Sequence, residues 1–476
     1  MKKILLLAIF TVTFSVSFAQ GGGSTGSTDP WTTGTGKTYV TLPKGIYAIG
    51  KNPANLYLSE ANKIEISTHF PLPNLNVRMG TDFLSLNEYN YFFGGETDAS
   101  GQTAGRFLTD SDKDRLRNVF EGGGLIFADI AMNDFALSYK LNNEKGVIAF
   151  SINDYMMQKF NIPSGIIDLF VSGNPPGKTY DFNDFNISVS YLREYTLSYA
   201  RPLNFMKPKF ITNLYGGVTL KLIQGLAYVG VDKMNTSLTT QGDGIITGKS
   251  EMRIVTAFSD NVGVEYGFDS AATKKNFAFA IFPKPVGSGF GFDLGFTAEI
   301  GERWKIGLAV TDIGSMKWEQ NVAEYTSNRE VRVTEMIDPE QRDTLVTLLK
   351  GEGRYTDAFT TQLPTVFRLG ASYLVWKSDY KYFILAFDYN QGFNNEPRNS
   401  KEPRFSLGGE WNQSKWLPYM RGGFSFGGEV PFIWSVGIGF NLGPVEVNLA
   451  TPDFQYIFTP GDAQRISFAM GARWKF

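Results

Sequence analysis

Several short sequences in this 476-residue chain use residue types that catalysis and ligand binding depend on, and each fails on its spacing. Gly-Lys-Ser/Thr, the ending of a phosphate loop, occurs at Gly36, Gly177 and Gly248. Such a loop also needs a glycine five positions upstream, where Trp31, Ser172 and Asp243 stand instead. Gly423-Phe-Ser-Phe-Gly427 has the form of a nucleophile elbow, but it lies in an alternating strand pattern with no helix after it. His69 is the only imidazole, and nothing in the sequence ties it to Ser425. Asp110, Asp112, Asp114 and Glu121 mimic part of a calcium loop, yet Arg115 occupies the position where that loop turns on glycine. These acids suit the first turn of a helix, whose free N–H groups favour negative charge. No catalytic set, cofactor site or metal site is expected, and the chain does not read as an enzyme.

The elements that must position any functional residue are strands. In the last twelve residues, Ile466, Phe468, Met470, Ala472, Trp474 and Phe476 fall on one face. Arg465, Ser467, Ala469, Gly471, Arg473 and Lys475 fall on the other. Alternation of this length needs one apolar and one wet surrounding. A lipid-facing wall around a polar lumen supplies both, and about ten tilted residues cross the hydrocarbon.

The pattern recurs through the chain. Phe405, Leu407 and Trp411 oppose Arg404, Ser406, Gly408 and Glu410, and Phe367, Leu369 and Ala371 oppose Arg368, Gly370 and Ser372. Phe290, Phe292, Leu294 and Phe296 oppose Asp293, Thr297 and Glu299, and Val445, Val447 and Leu449 oppose Glu446 and Asn448. Charges keep to one face, because a lipid-facing Arg or Lys at mid-membrane would cost about 2–4 kcal/mol. Asp293, Glu299, Arg368, Arg404, Glu410, Glu446 and Arg473 are accordingly assigned to a lumen.

Connection lengths agree. Short turns at Gly301–Arg303, Lys377–Tyr380, Asn412–Lys415 and Leu442–Pro444 alternate with longer loops at Gly314–Leu363, Gln391–Glu402, Gly427–Pro431 and Thr451–Gln464. That order fits a barrel with one end in the periplasm and the other outside. Further strands cover roughly 209–231, 185–201, 147–155 and 135–141, with one or two more between 63 and 86, and 124–131 reads as strand or loop. The fold class is an all-β, antiparallel transmembrane barrel of about fourteen strands, within roughly twelve to sixteen. Short helices are expected at Thr109–Phe120, Pro163–Val171 and Asp338–Leu348.

Composition and the N-terminus are consistent with export. Lys2 and Lys3 precede an apolar run from Ile4 to Val16, and Ser17-Phe-Ala19 offers a small-x-small cleavage site that would leave Gln20 first. Residues 1–19 read as a signal peptide, 20–36 (rich in Gly, Ser and Thr) as a flexible tether, 37–62 as a distinct N-terminal segment and 63–476 as the barrel. There is no Cys for disulfides, lipoprotein acylation or thiol chemistry. The net charge of −2 provides no basic surface for nucleic acid.

Two resemblances follow from these residues. A last strand ending on Phe476, with Phe468 and Trp474 at alternate positions before it, resembles the assembly signal of bacterial outer-membrane barrels. This implies recognition by the barrel assembly machinery. Asn52-Pro53-Ala54, in a small-residue segment between the signal peptide and the first strand, resembles the long-chain fatty acid transporters of the FadL type. Phe107-Leu-Thr-Asp-Ser-Asp-Lys, Gly177-Lys-Thr-Tyr-Asp-Phe, Leu226-Ala-Tyr and Gly289-Phe-Gly-Phe-Asp-Leu-Gly look like a FadL-related branch. The resemblance implies an N-terminal plug, carried by Asn52, Pro53 and Ala54, inside a fourteen-stranded barrel in the bacterial outer membrane. Pro53 fixes φ and lacks a donor, while the Asn52 amide can bond backbone in a turn.

The function so implied is passive transport of hydrophobic small molecules, with outer-membrane lipid and a hydrophobic cargo as partners. Two alternatives stay open: a barrel that binds or shuttles exported proteins, as in type IX secretion, and a filled structural barrel. In the transport reading the lumen charges hold water, so lipophilic cargo needs a break in the wall through which to leave sideways.

Overall fold

The computed structural model of the chain describes residues 29–59, 63–97, 100–142, 145–266, 268, 280, 282–334, 339–414, 416–428 and 432–476. The expected signal peptide and most of the expected tether lie outside the described residues. What is described is a closed antiparallel barrel of 14 strands. Strand β1 is in two pieces, Ile64–Ser67 and Asn74–Thr81. It is followed by β2 (Gly124–Lys140), β3 (Val147–Ile162), β4 (Asn186–Pro202) and β5 (Asn213–Thr240). Next come β6 (Gly287–Ile300), β7 (Trp304–Trp318), β8 (Val366–Ser378), β9 (Lys381–Gly392) and β10 (Arg404–Asn412). The circuit ends with β11 (Tyr419–Gly427), β12 (Phe432–Leu442), β13 (Val445–Thr451) and β14 (Arg465–Lys475). Both pieces of β1 pair with β14 on one side and β2 on the other, which closes the sheet. Closure leaves no open edge among the fourteen.

The period-two reading holds along the wall. In β10, Arg404, Ser406, Gly408, Glu410 and Asn412 are buried inside, while Phe405 and Leu407 are exposed outside. In β6, Phe290, Phe292, Leu294 and Phe296 are exposed and the residues between them buried. Side chains on a strand alternate across the sheet, so one face is an apolar band and the other an interior.

Short connections (141–146, 203–212, 301–303, 379–380, 413–418 and 443–444) collect at one end, with the C-terminus. Long ones collect at the other end and carry the helices Leu86–Phe93, Asp110–Val119, Ser164–Ser172 and Pro339–Lys350. Three of these helices were expected. Leu86–Phe93 was not, although Ser85 and Glu88 form a capping box there.

The long-loop end also holds structure the sequence reading assigned to loops. β5 runs on for 28 residues, and its upper half pairs with the strand Ile246–Phe258, which pairs in turn with Val322–Val333. This projecting sheet packs Leu238, Ile246, Val331 and Val333 against Leu345 and Leu348 of the last helix. Its strands are wet on one face and carry exposed pairs such as Arg329–Glu352, so they lack the aromatic rows of the wall. The stretch 124–131 proves to be the upper half of β2.

Candidate functional site

The barrel interior is occupied by the chain's own N-terminal segment. Asp29 caps the short helix Pro30–Gly34, accepting from Thr32 N at 2.9 Å, and its other oxygen takes the Lys51 ammonium. Lys51 also donates to Tyr47 O at 2.7 Å. This one ion pair ties the start of the segment to its end. The expected tether boundary at residue 36 moves accordingly: residues 29–36 are packed inside the barrel, because Trp31 and the threonines beside it meet inward residues of β11–β14 rather than water.

Inward wall groups satisfy the segment's backbone, and among them Arg473 was assigned to a wet lumen. Asp388 of β9 accepts from the N–H groups of Tyr39 and Val40. Glu65 of β1 accepts from Ile46 N at 2.8 Å. Arg473 donates to Lys44 O at 3.0 Å, and pairs with Glu65 at 3.1 Å and Glu446 at 2.8 Å. Its guanidinium lies 4.6 Å from the Tyr47 ring, as Arg368 lies 4.8 Å from Tyr39 and Arg421 4.5 Å from Trp31. Buried charges are tolerated when paired and hydrogen-bonded, and here wall and segment complete each other.

Asn52, Pro53 and Ala54 are fully buried at the centre of this contact. The Asn52 amide donates to Thr297 Oγ1 at 2.9 Å and to Val40 O at 3.0 Å, and its oxygen accepts from Ala54 N at 3.2 Å. Pro53 opens a 3-10 helix to Leu58, where an N–H would have had no partner. Asn55 closes the loop, donating to Val40 O at 2.7 Å and accepting from Thr297 Oγ1 at 2.6 Å.

The segment sits against inward glycines on β5–β8, β10 and β11: Gly217, Gly295, Gly307, Gly370, Gly408 and Gly423. A Cβ on Gly295 would lie 2.2 Å from Asn52 Oδ1, and one on Gly408 2.1 Å from Thr35 O. The missing side chains let backbone meet backbone, so this level of the lumen is filled rather than watery.

The remaining expected lumen residues sit elsewhere inside. Asp293 accepts from Asp312 N at 2.7 Å and faces Lys221 at 3.0 Å, in a buried cluster with Asp312, Glu194 and Arg398. Glu410 binds Arg421 at 2.6 Å and Tyr382 at 2.6 Å. Glu299 is half-buried near the short-turn end beside Lys305. Arg404 is buried near the long-loop end. The loop 393–403, expected to lie outside, folds inward. Arg398 has φ 72° and donates to Met157 Sδ at 2.9 Å through its backbone N–H, with its guanidinium 3.6 Å from the Tyr155 ring. Phe468, Trp474 and Phe476 face outward, and Phe476 exchanges backbone hydrogen bonds with Ile64 at the closure seam.

Glu65, Lys221, Asp388 and Arg421 went unnamed in the sequence. Asp388 was findable, since Phe387 and Tyr389 flank it outward in a strand that had not been read. The catalytic look-alikes stay apart. Ser425 is buried facing Ser406, whereas His69 is exposed beside Asp134. Asp112 belongs to a capping box with Thr109.

Two recesses flank the filled level. One of about 950 Å³ opens at the short-turn end, with Trp31, Thr41 and Lys44 for its roof. The other, about 600 Å³, lies on the outer face at mid-height and is lined by Phe150, Leu197, Leu220, Leu222, Phe290 and Phe292. The β6–β7 pairing shifts register beside the second recess, between Phe292 and Leu294, where Asp312 takes φ 60°.

A family profile described as a family of unknown function, DUF5723, matches residues 61–451. No curated protein matches the chain. Similar solved structures include the Ralstonia pickettii toluene transporter TbuX, at 13% identity and a TM-score of 0.45, covering 94% of this chain and 98% of that one. The Pseudomonas putida toluene transporter TodX is similar at 9% identity and 0.41, covering 96% and 98%. A Pseudomonas aeruginosa FadL homologue is similar at 12% and 0.43, covering 96% and 100%.

Proposed function

The chain belongs to DUF5723, and we propose that it is an outer-membrane barrel through which hydrophobic small molecules pass passively, the segment 29–58 acting as the plug. The observation that carries this reading is the relation between the two paths. The axial path is occupied by the plug on its glycines, while an apolar recess lies on the outer face beside a register shift in the β6–β7 pairing. A lipophilic solute gains nothing from the charged interior and would leave through the wall into lipid. The absence of a credible nucleotide motif in the sequence suits passive movement.

Filling the recess tests this. Ser315 lines it and is exposed, so Ser315→Trp adds bulk without disturbing the interior. Uptake of a hydrophobic probe such as toluene by cells bearing this variant should fall several-fold against the parent at equal barrel content. Undiminished uptake would favour the filled structural barrel, since the lumen is closed at plug level in either reading.

A further inference from the structure

The outward face of the wall breaks its apolar rule at one place. By the alternation that exposes Phe150 and Leu197, the outward row of β3 runs Ile148, Phe150, Ile152 and then Asp154. The outward row of β4, read from its short-turn end, runs Leu197, Tyr195 and then Arg193. Asp154 and Arg193 oppose each other in register. The guanidinium donates to the carboxylate twice, from Nε at 2.8 Å and from Nη2 at 2.6 Å, and Tyr191 Oη adds a bond at 3.3 Å. Asp134 stands 3.8 Å from the same guanidinium. Ionisable groups among lipid-facing side chains are costly and mark function where they persist.

This polar island borders the apolar recess on its long-loop side. Tyr195 lines the recess and is the next outward residue after Arg193 along β4. Gln224 opposes Arg193 from β5, and it is the next outward residue after Leu222, which also lines the recess. Tyr195 Oη donates to Gln224 Oε1 at 3.4 Å, longer than a well-made O–H···O bond. Among the described residues, the Gln224 amide nitrogen has no acceptor. Both side chains are half-buried, so the rim of the recess offers a donor and two acceptors at its edge.

The cations nearby are committed. Asp154 holds Arg193, and Lys221, which borders the recess from within, turns its ammonium to Asp293 at 3.0 Å and Asp312 at 2.6 Å. A carboxylate guest at this rim would meet Asp134 and Asp154. A pure hydrocarbon would leave the Gln224 amide unsatisfied, whereas a hydroxyl can accept from it and donate to a neighbouring oxygen.

We propose that the recess selects small neutral amphiphiles, an apolar body carrying one hydroxyl as in a phenol, with Tyr195 and Gln224 binding the hydroxyl and the apolar rows holding the body. This rests on the transport reading above and narrows its substrate class.

Three probes that share a methyl-bearing ring test the selection: p-cresol, toluene and 4-methylbenzoate. Their uptake is measured in cells bearing the full chain at equal barrel content. Tyr195→Phe and Gln224→Leu should each lower the ratio of p-cresol to toluene uptake by about threefold to tenfold, the loss expected for one neutral hydrogen bond. Either variant decides the matter if the other fails to assemble. A ratio unchanged in an assembled variant, while Ser315→Trp still lowers uptake of both neutral probes, would overturn the selection and leave the transport reading standing. Uptake of both unaffected by Ser315→Trp would remove the transport reading, and the selection with it. 4-Methylbenzoate should enter no faster than in cells lacking the protein, and protein-dependent uptake of it would overturn the restriction to neutral guests.

Discussion

At the scale of single residues, the plug is held by a few wall groups whose loss should be felt locally. Asp388 takes two backbone N–H groups from Tyr39 and Val40, each a charge-assisted bond of about 1.5–3 kcal/mol. Asp388→Ala should leave the barrel heat-modifiable while the Tyr39 and Val40 amides lose protection in hydrogen exchange. Unchanged protection would mean that the plug is held without this carboxylate. Gly295→Val should have a related effect by steric means, since a side chain there overlaps Asn52 and Pro53. At this scale, the sequence revealed which face a residue occupies but not what it touches. Arg368 and Arg473 were assigned inward from alternation, and they are inward. Their partners Tyr39, Tyr47 and Lys44 O lie hundreds of residues away in sequence, and no periodicity reports such a contact. Arg473, meant to hold water, donates to backbone of the segment instead.

Among the elements, the wall strands were the most legible because each has one lipid face, and a one-residue slip would turn every aromatic inward. β14 was read to its ends. The projecting sheet was missed because water surrounds much of it, which removes the constraint that writes alternation into sequence. The plug was legible only as the Asn52-Pro53-Ala54 likeness, and residues 29–36, composed like a linker, proved to be packed. Small residues serve a tether and a close backbone contact equally well. The C-terminal strand carries its own prediction. Phe476 exchanges backbone hydrogen bonds with Ile64 at the seam, and its ring stacks 6.2 Å from Trp474. Phe476→Ala, or removal of Trp474–Phe476, should reduce heat-modifiable, membrane-inserted protein. Lys475→Gln, which loses one contact to Glu446, should be mild. Equal assembly of all three would count against an assembly role for the terminal aromatics.

For the whole molecule, the segregation of short and long connections sets an orientation. If the long-loop end faces outward, an epitope at the exposed hairpin tip Gly242–Gly244 should be labelled on intact cells, and one at Gln413 should not. Labelling at Gln413 alone would reverse the topology. The long loop expected at Gln391–Glu402 does not offer such a site at Arg398, Asn399 and Ser400, which are buried. The central claim is that segment 29–58 is a barrier within a transport barrel, and deleting it tests that claim most directly. In cells carrying the correctly assembled, heat-modifiable deletion, leakage of a small polar solute and uptake of a hydrophobic probe are measured together. Leakage should rise, because the glycine-lined level would fill with water, and hydrophobic uptake should change in the same cells. Parental values for both in an assembled deletion would contradict the plug and the transport function alike.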